Sequence, residues 1–290
     1  MQAITLDRPL SQIFLSLVPF LIFGSALVRG LRRPIVYPLV VGVMFAAIVV
    51  AAWRLGASAI AGSDDRKGLA LAGILLIAPW AVLSVLVGLG APWQATEAEN
   101  RLRFEALLVA RILIPMGLIV LSQVLREAGE RFYSMLGFAA MMLAGPLMLI
   151  FGTFPMTVQL IARHQQVSSG QEPNWLSPLI SQAALIDCLE VVLTYLTVTA
   201  FATALLKLGW LGRKTSRAFV GVGLFAALCV TVAAAVFIQL LPQELQFATL
   251  RMKVAIVPGF ILGIPAIPFI MPHLIGVNLL RRASERTVTR

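Results

Sequence analysis

Asp187 and Glu190 lie three residues apart inside a long apolar stretch, and a second apolar stretch contains Arg111. Residues at a spacing of three share one face of an α-helix. A charged side chain within a lipid bilayer costs about 2.5–3.5 kcal/mol on insertion scales, and it therefore marks a candidate functional site. The sequence predicts an intramembrane polar cluster of Asp187, Glu190 and Arg111.

The chemistry of this cluster follows from its charge balance. One arginine cannot neutralise two ionised carboxylates, so the surplus acid is either protonated or exposed to a water-filled cavity. Either state suits a proton-linked transport site or an ion pathway. The alternative is a structural ion pair that holds two helices together, with one acid hydrogen-bonded in its neutral form.

A second unusual pattern lies between residues 257 and 273, where closely spaced prolines and glycines interrupt an apolar run. Each proline removes a backbone donor, so a regular helix is not expected there. Irregular backbone at membrane depth is tolerated when it is buried in protein or lines a cavity, as in transporters with discontinuous helices. The candidate broken-helix site comprises Pro258, Gly259, Gly263, Pro265, Pro268, Pro272 and His273.

This second site also has a structural alternative, a kinked or re-entrant segment that packs closely against its neighbours through glycine. His273 allows two interpretations as well. A histidine relays protons near neutral pH, but a histidine near a helix end also serves as a hydrogen-bonded interface residue.

The composition identifies the solvent of the elements that carry these residues. Apolar residues make up 59% of the 290-residue chain and charged residues only 12%, against about 25% charged in soluble domains. The net charge of +10 resides mainly in short gaps between apolar runs, which is typical of a bilayer protein. We therefore expect a lipid bilayer as the main partner and no nucleic acid.

A membrane crossing needs about 20 apolar residues, and about eight stretches reach this length. The prediction is an all-α, polytopic transmembrane helical bundle that forms a single domain over residues 1–290, with a Pro/Gly-broken eighth span and no soluble domain. The expected spans are residues 10–28, 35–53, 69–90, 104–125, 132–161, 178–206, 218–241 and 254–280.

Loop charges predict the orientation. More Lys and Arg residues fall on the side that carries both termini than on the opposite side, and cytoplasmic loops are enriched in these residues. Both termini are therefore expected in the cytoplasm. No organellar targeting pattern is evident, so the expected location is the cell membrane, with a bacterial cytoplasmic membrane as the default.

The sequence lacks the spacings of a phosphate-binding loop, a zinc-protease helix and a nucleophile elbow. With two histidines, and with both cysteines inside apolar runs, no metal and no cofactor are expected, and an enzyme is the less favoured class. The preferred hypothesis is a transporter or permease-like protein. The alternative is a non-catalytic membrane subunit or scaffold that binds partner subunits or further copies of itself.

Overall fold

The computed structural model describes residues 4–26, 36–62, 64–90, 95–169, 174–240, 261–264 and 266–285. Every regular element within these ranges is helical, which confirms the predicted all-α class for the described part of the chain. The α-helices are α1 (Ile4–Ala26), α2 (Val36–Leu55), α3 (Asp64–Val82), α4 (Glu97–Glu127), α5 (Phe132–Ser169), α6 (Leu176–Lys207), α7 (Arg213–Leu240) and α8 (Ile270–Glu285). Short 3-10 segments follow α2 and α3 and precede α8, at Ala57–Ala61, Leu83–Leu86 and Ile267–Phe269.

Seven of the described helices, α1 to α7, are long and apolar enough to cross a membrane, and they overlap the first seven predicted spans. The eighth predicted stretch, 254–280, lies partly outside the described residues. Its described helix, α8, has 16 residues, fewer than the about 20 that a straight crossing needs. Eight full crossings are therefore not seen in the described part of the chain, because α8 begins only at Ile270, after the proline-rich segment.

The chain divides into two compact units. The first comprises Met1–Gly129 together with Phe269–Arg290, and the second comprises Glu130–Pro268. The first unit therefore contains α1 to α4 and α8, whereas the second contains α5, α6 and α7. The single domain expected over residues 1–290 stays a prediction.

Close glycine contacts hold the core of the first unit, where α3 packs against both α4 and α8. A Cβ atom at Gly73 of α3 would lie 2.7 Å from Cδ2 of Leu280, and one at Gly276 of α8 would lie 2.9 Å from Cβ of Leu76. Gly117 of α4 also faces Leu76, with 2.8 Å between its Cβ position and Cδ2. Small residues thus let three helix backbones approach closely, which is the usual packing of helices in lipid.

In the second unit, α6 packs against α5 and α7. A Cβ atom at Gly137 of α5 would lie 3.0 Å from the ring of Phe201 on α6. The buried hydroxyl of Ser216, in the first turn of α7, donates to the carbonyl of Ala202 at 2.9 Å. The turn between α6 and α7 is tight because Gly209 adopts a φ of 65°, a conformation that glycine adopts without steric cost.

Side-chain caps set where two of the helices begin. At α4, the Thr96 hydroxyl accepts from the Glu99 amide while the Glu99 carboxylate accepts from the Thr96 amide, and these two bonds form a capping box. At α5, the Glu130 carboxylate accepts from the Ser134 amide at 3.0 Å. Both acids therefore satisfy first-turn amides that have no partner within the helix.

Candidate functional site

A polar stripe runs along α6, within a 26-residue apolar segment, Gln182–Lys207. We define the α6 stripe as Asp187, Glu190, Thr194 and Thr197. At 3.6 residues per turn these positions fall within one narrow face of the helix. Glu190 is 1% exposed and both threonines are fully buried, whereas Asp187 is half-buried. The two acids predicted from the sequence thus lie on one face of α6, and two threonines extend that face along the helix.

The hydroxyl groups of the α6 stripe are oriented by the helix backbone. Thr194 Oγ1 donates to the carbonyl of Glu190 at 2.9 Å, and Thr197 Oγ1 donates to the carbonyl of Leu193 at 2.8 Å. Each hydroxyl has only one hydrogen, so the oxygen lone pairs remain as acceptors. The stripe is therefore rich in acceptor oxygens, and it favours a proton, a cation or a hydrogen-bond donor over an anion.

The two threonines could have been identified from the sequence by continuing the Asp187/Glu190 face. Thr194 and Thr197 follow Glu190 by four and seven residues, the spacings that keep residues on one side of a helix. A threonine within an apolar helix is common, however, and its hydroxyl can bond to its own backbone. The sequence does not show that both side chains are buried, and this is known only from the structure.

Arg111 lies on α4 in the first unit, whereas Asp187 and Glu190 lie on α6 in the second. Arg111 is 3% exposed, and it shares the buried face of α4 with Ala110 and Ile114. Arg111 is therefore a buried residue of α4. The predicted meeting of Arg111 with the two acids stays a prediction.

The proline-rich segment is irregular where it is described. A short helical piece at residues 261–262 leads into a turn that contains Gly263, and the 3-10 helix Ile267–Phe269, which includes Pro268, follows. Pro272 lies in the first turn of α8, where a missing amide hydrogen breaks no helical bond. Pro258, Gly259 and Pro265 of the predicted broken-helix site lie outside the described residues.

Aromatic side chains bind backbone carbonyls of this irregular segment. In the second unit, the hydroxyl of Tyr195 on α6 donates to the carbonyl of Leu262 at 3.1 Å. In the first unit, the indole Nε1 of Trp80 on α3 donates to the carbonyl of Phe269 at 3.3 Å. Both aromatic residues are almost fully buried. They satisfy carbonyl groups at a break in the helix, where an unbonded buried carbonyl would be costly.

His273 lies in the core of the first unit with no exposed surface. Its Nε2 atom is 2.7 Å from the carbonyl oxygen of Leu15 on α1. Because a carbonyl only accepts, Nε2 carries the hydrogen in this bond. Leu15 precedes Pro19 by four residues, and Pro19 has no amide hydrogen to donate back to it. His273 therefore supplies the donor that Pro19 cannot.

The surroundings of His273 are apolar. The Trp80 ring meets the imidazole edge to face, with 6.1 Å between the ring centres. The Nδ1 atom is buried and has no hydrogen-bond partner among the described residues. The geometry of this histidine therefore matches the hydrogen-bonded interface residue, one of the two interpretations of the sequence, and its use as a proton relay stays a prediction.

No other described group offers an obvious reactive centre. An open groove of about 430 Å³ in the first unit is lined mainly by apolar side chains of α2, α3, α4 and the 3-10 segment Leu83–Leu86, with Tyr37 and Ser84 as its polar members. Both hydroxyls donate to backbone carbonyls, of Val85 and Ala81 respectively. Within the described ranges, no group of three or more His, Cys, Asp or Glu residues is placed to hold a metal ion.

No known protein family matches this sequence, and no curated protein or solved structure shows significant similarity to it. The class of the protein therefore rests on its own features. It is a helical protein with seven described helices of membrane-spanning length and composition, and one of them carries a buried acidic and hydroxyl stripe.

Proposed function

We propose that this chain is an integral membrane protein of the permease type, and that the α6 stripe lines the path of a proton or a small cationic solute. The observation that carries this proposal is Glu190, a carboxyl group 1% exposed in the middle of an apolar helix. A carboxylate at such a position is costly unless it is protonated, paired with a cation or hydrogen-bonded. Changing its protonation state is therefore a natural step in a transport cycle.

The neighbours of Glu190 support a cation or a proton as the transported species. Thr194 and Thr197 present acceptor oxygens on the same face of α6, because their hydroxyl hydrogens are bound to helix carbonyls. Asp187 lies one turn away and is half-buried, so this acid is more exposed than Glu190. A proton or cation could pass from Asp187 to Glu190 along one side of a single helix.

The test is proton flux into liposomes that contain the purified protein and a pH-sensitive dye, under an imposed pH gradient. We expect faster flux than in protein-free liposomes. Glu190→Gln should reduce the flux at least tenfold, because a positioned proton-transfer group raises a rate by about 10²–10⁴-fold. Asp187→Asn should also reduce the flux.

A matched pair of threonine variants separates the stripe from α6 as a whole. Thr197→Val removes a hydroxyl from the stripe, whereas Thr203→Val removes one from the opposite side of the helix, where it donates to the carbonyl of Thr199. Only Thr197→Val should reduce flux. Equal flux in wild type and Glu190→Gln, with both proteins monodisperse in detergent, would refute proton transport through the stripe.

The second candidate is a non-catalytic subunit of a larger membrane complex, and α2 is the observation that favours it. Leu39, Val43 and Trp53 are each more than half exposed, so α2 offers an apolar surface to lipid or to another membrane protein. Purification from its native membrane in mild detergent tests this candidate. Stoichiometric partner subunits would support the scaffold, and a solitary protein or homodimer would support an autonomous carrier.

The location we propose is a bacterial cytoplasmic membrane, with both termini in the cytoplasm. The turn between α6 and α7 would then face the cytoplasm, in agreement with its Lys207, Arg213, Lys214 and Arg217. Cysteines introduced one at a time at Thr215 and at Glu97, in a variant that lacks Cys188 and Cys229, test the orientation. A membrane-impermeant thiol reagent added outside intact cells should label the second position and not the first.

A further inference from the structure

Five cationic side chains collect at one end of the second unit. Arg131 precedes α5, Lys207 ends α6, and Arg213, Lys214 and Arg217 lie in the first turns of α7. The end of α6 and the start of α5 are adjacent: the Nζ atom of Lys207 lies 4.4 Å from the centre of the Tyr133 ring on α5. The Ser216 bond to Ala202 also fixes the start of α7 against α6. We call these five cations the basic end.

All five side chains of the basic end are exposed. Within the described ranges, none of them makes an ion pair, whereas the exposed arginines Arg101 and Arg281 of the first unit each pair with a glutamate four residues further on. The described acid nearest in sequence to the basic end is Glu130, which is buried and caps α5. The charge of the basic end is therefore not offset by the described part of its own unit.

The helix dipole adds to this excess. The N-terminus of a helix carries a partial positive charge, so acidic residues are favoured in its first turn and cations are not. Arg213 and Lys214 occupy the first turn of α7, which contains no acidic residue. On α6, Glu190 is the nearer acid of the stripe, and it is more than four turns away from Lys207, roughly 25 Å along the helix axis. The electrostatic potential at the basic end thus attracts an anion.

The position of the basic end along its helices indicates what the anion is. The ends of apolar helices of membrane-spanning length lie at the depth of lipid headgroups. Phe132 is 63% exposed beside the cations, and Trp210 lies half-buried in the turn that joins α6 to α7. Aromatic and basic residues together are typical of the membrane interface, where the cations meet lipid phosphates.

We propose that the basic end binds the phosphate headgroups of anionic phospholipids, with Arg213, Lys214 and Arg217 as the main contacts. This proposal rests on α5, α6 and α7 crossing a membrane, but not on transport through the α6 stripe. The ligand class is a lipid with a phosphodiester and a net negative charge. A zwitterionic phospholipid carries the same phosphate together with a cationic group, which the basic end would repel.

The experiment uses the full chain purified in a nonionic detergent. Short-chain phosphatidylglycerol or phosphatidylcholine is titrated into the protein, and the lipid-bound fraction is measured by native mass spectrometry. We expect tighter binding of phosphatidylglycerol. Each cation near an anionic surface contributes about 1 kcal/mol, or roughly fivefold in affinity. The triple variant R213Q/K214Q/R217Q should therefore lose roughly a hundredfold in affinity for phosphatidylglycerol, with little change for phosphatidylcholine.

Two control variants keep the result specific. Arg101→Gln removes an exposed arginine that is already paired with Glu105, and it should leave the lipid preference unchanged. The double variant R213K/R217K keeps both charges and should retain most of the binding. Since all of the substituted side chains are exposed, the fold should be retained, and gel filtration and circular dichroism verify this.

Several outcomes would overturn the proposal: equal affinity for the two lipids, an unchanged preference in the triple variant, or an equal loss in Arg101→Gln. Competition separates the sources of the anion. Displacement of the lipid by equimolar inorganic phosphate would indicate a free-phosphate site, and tighter binding of polyglutamate would indicate an acidic protein partner; either result contradicts a lipid site. Failure of the transport proposal is distinct, because Glu190→Gln should leave lipid binding unchanged.

Discussion

The bond between His273 and Leu15 leads to a prediction about the stability of the first unit. Replacing His273 with leucine keeps an apolar side chain of moderate size but removes the donor at 2.7 Å from the Leu15 carbonyl. Pro19 cannot supply a substitute from within α1. A buried acceptor that loses its partner costs about 1–3 kcal/mol, whereas hydrogen bonds between helices within membranes average about 0.6 kcal/mol. We expect His273→Leu to lower the free energy of unfolding by about 1–2 kcal/mol.

A double-mutant cycle isolates the contribution of this one bond. In Pro19→Ala, residue 19 regains an amide hydrogen, and α1 can bond to the Leu15 carbonyl by itself. The loss caused by His273→Leu should then shrink by about 1 kcal/mol, which is within the range found for residues in contact. The free energy of unfolding is measured by titrating the detergent-solubilised protein with SDS and following the far-ultraviolet circular dichroism signal.

The conservative variant His273→Gln provides the control, since its amide can still donate to the carbonyl of Leu15. It should be more stable than His273→Leu when Pro19 is present. The reasoning is wrong if His273→Leu costs the same with proline and with alanine at position 19. In that event the contribution of His273 would be packing against Trp80 and its neighbours rather than replacement of a missing helix bond.

Two further predictions concern backbone contacts. Gly56→Ala places a Cβ atom 2.0 Å from the carbonyl oxygen of Leu280, at a φ of 151°. We therefore expect the free energy of unfolding to fall by about 3 kcal/mol or more, with little folded protein by gel filtration. The control Gly42→Ala has open space at its Cβ position and should behave as wild type. Tyr195→Phe removes the hydrogen bond to the Leu262 carbonyl. It should lower the free energy of unfolding by about 0.5–1.5 kcal/mol in the same SDS titration. An unchanged stability would show that this carbonyl has another donor.

The sequence by itself determined the presence of the seven long apolar helices. Apolar runs bounded by charges predicted spans that overlap α1 to α7, because the length of an apolar run is a local property that needs no knowledge of neighbours. The spacing of Asp187 and Glu190 likewise placed both acids on one face of α6, since helical periodicity alone decides which side chains share a face.

Tertiary structure decided which faces are buried. A helix that is apolar all round gives no amphipathic signal, so the sequence could not indicate that Thr194 and Thr197 are buried while Trp53 of α2 is exposed. The long-range bonds were equally hidden. His273 bonds to a residue 258 positions away and Trp80 to one 189 positions away. Only the packing of α1, α3 and α8 brings these donors to the carbonyls of Leu15 and Phe269.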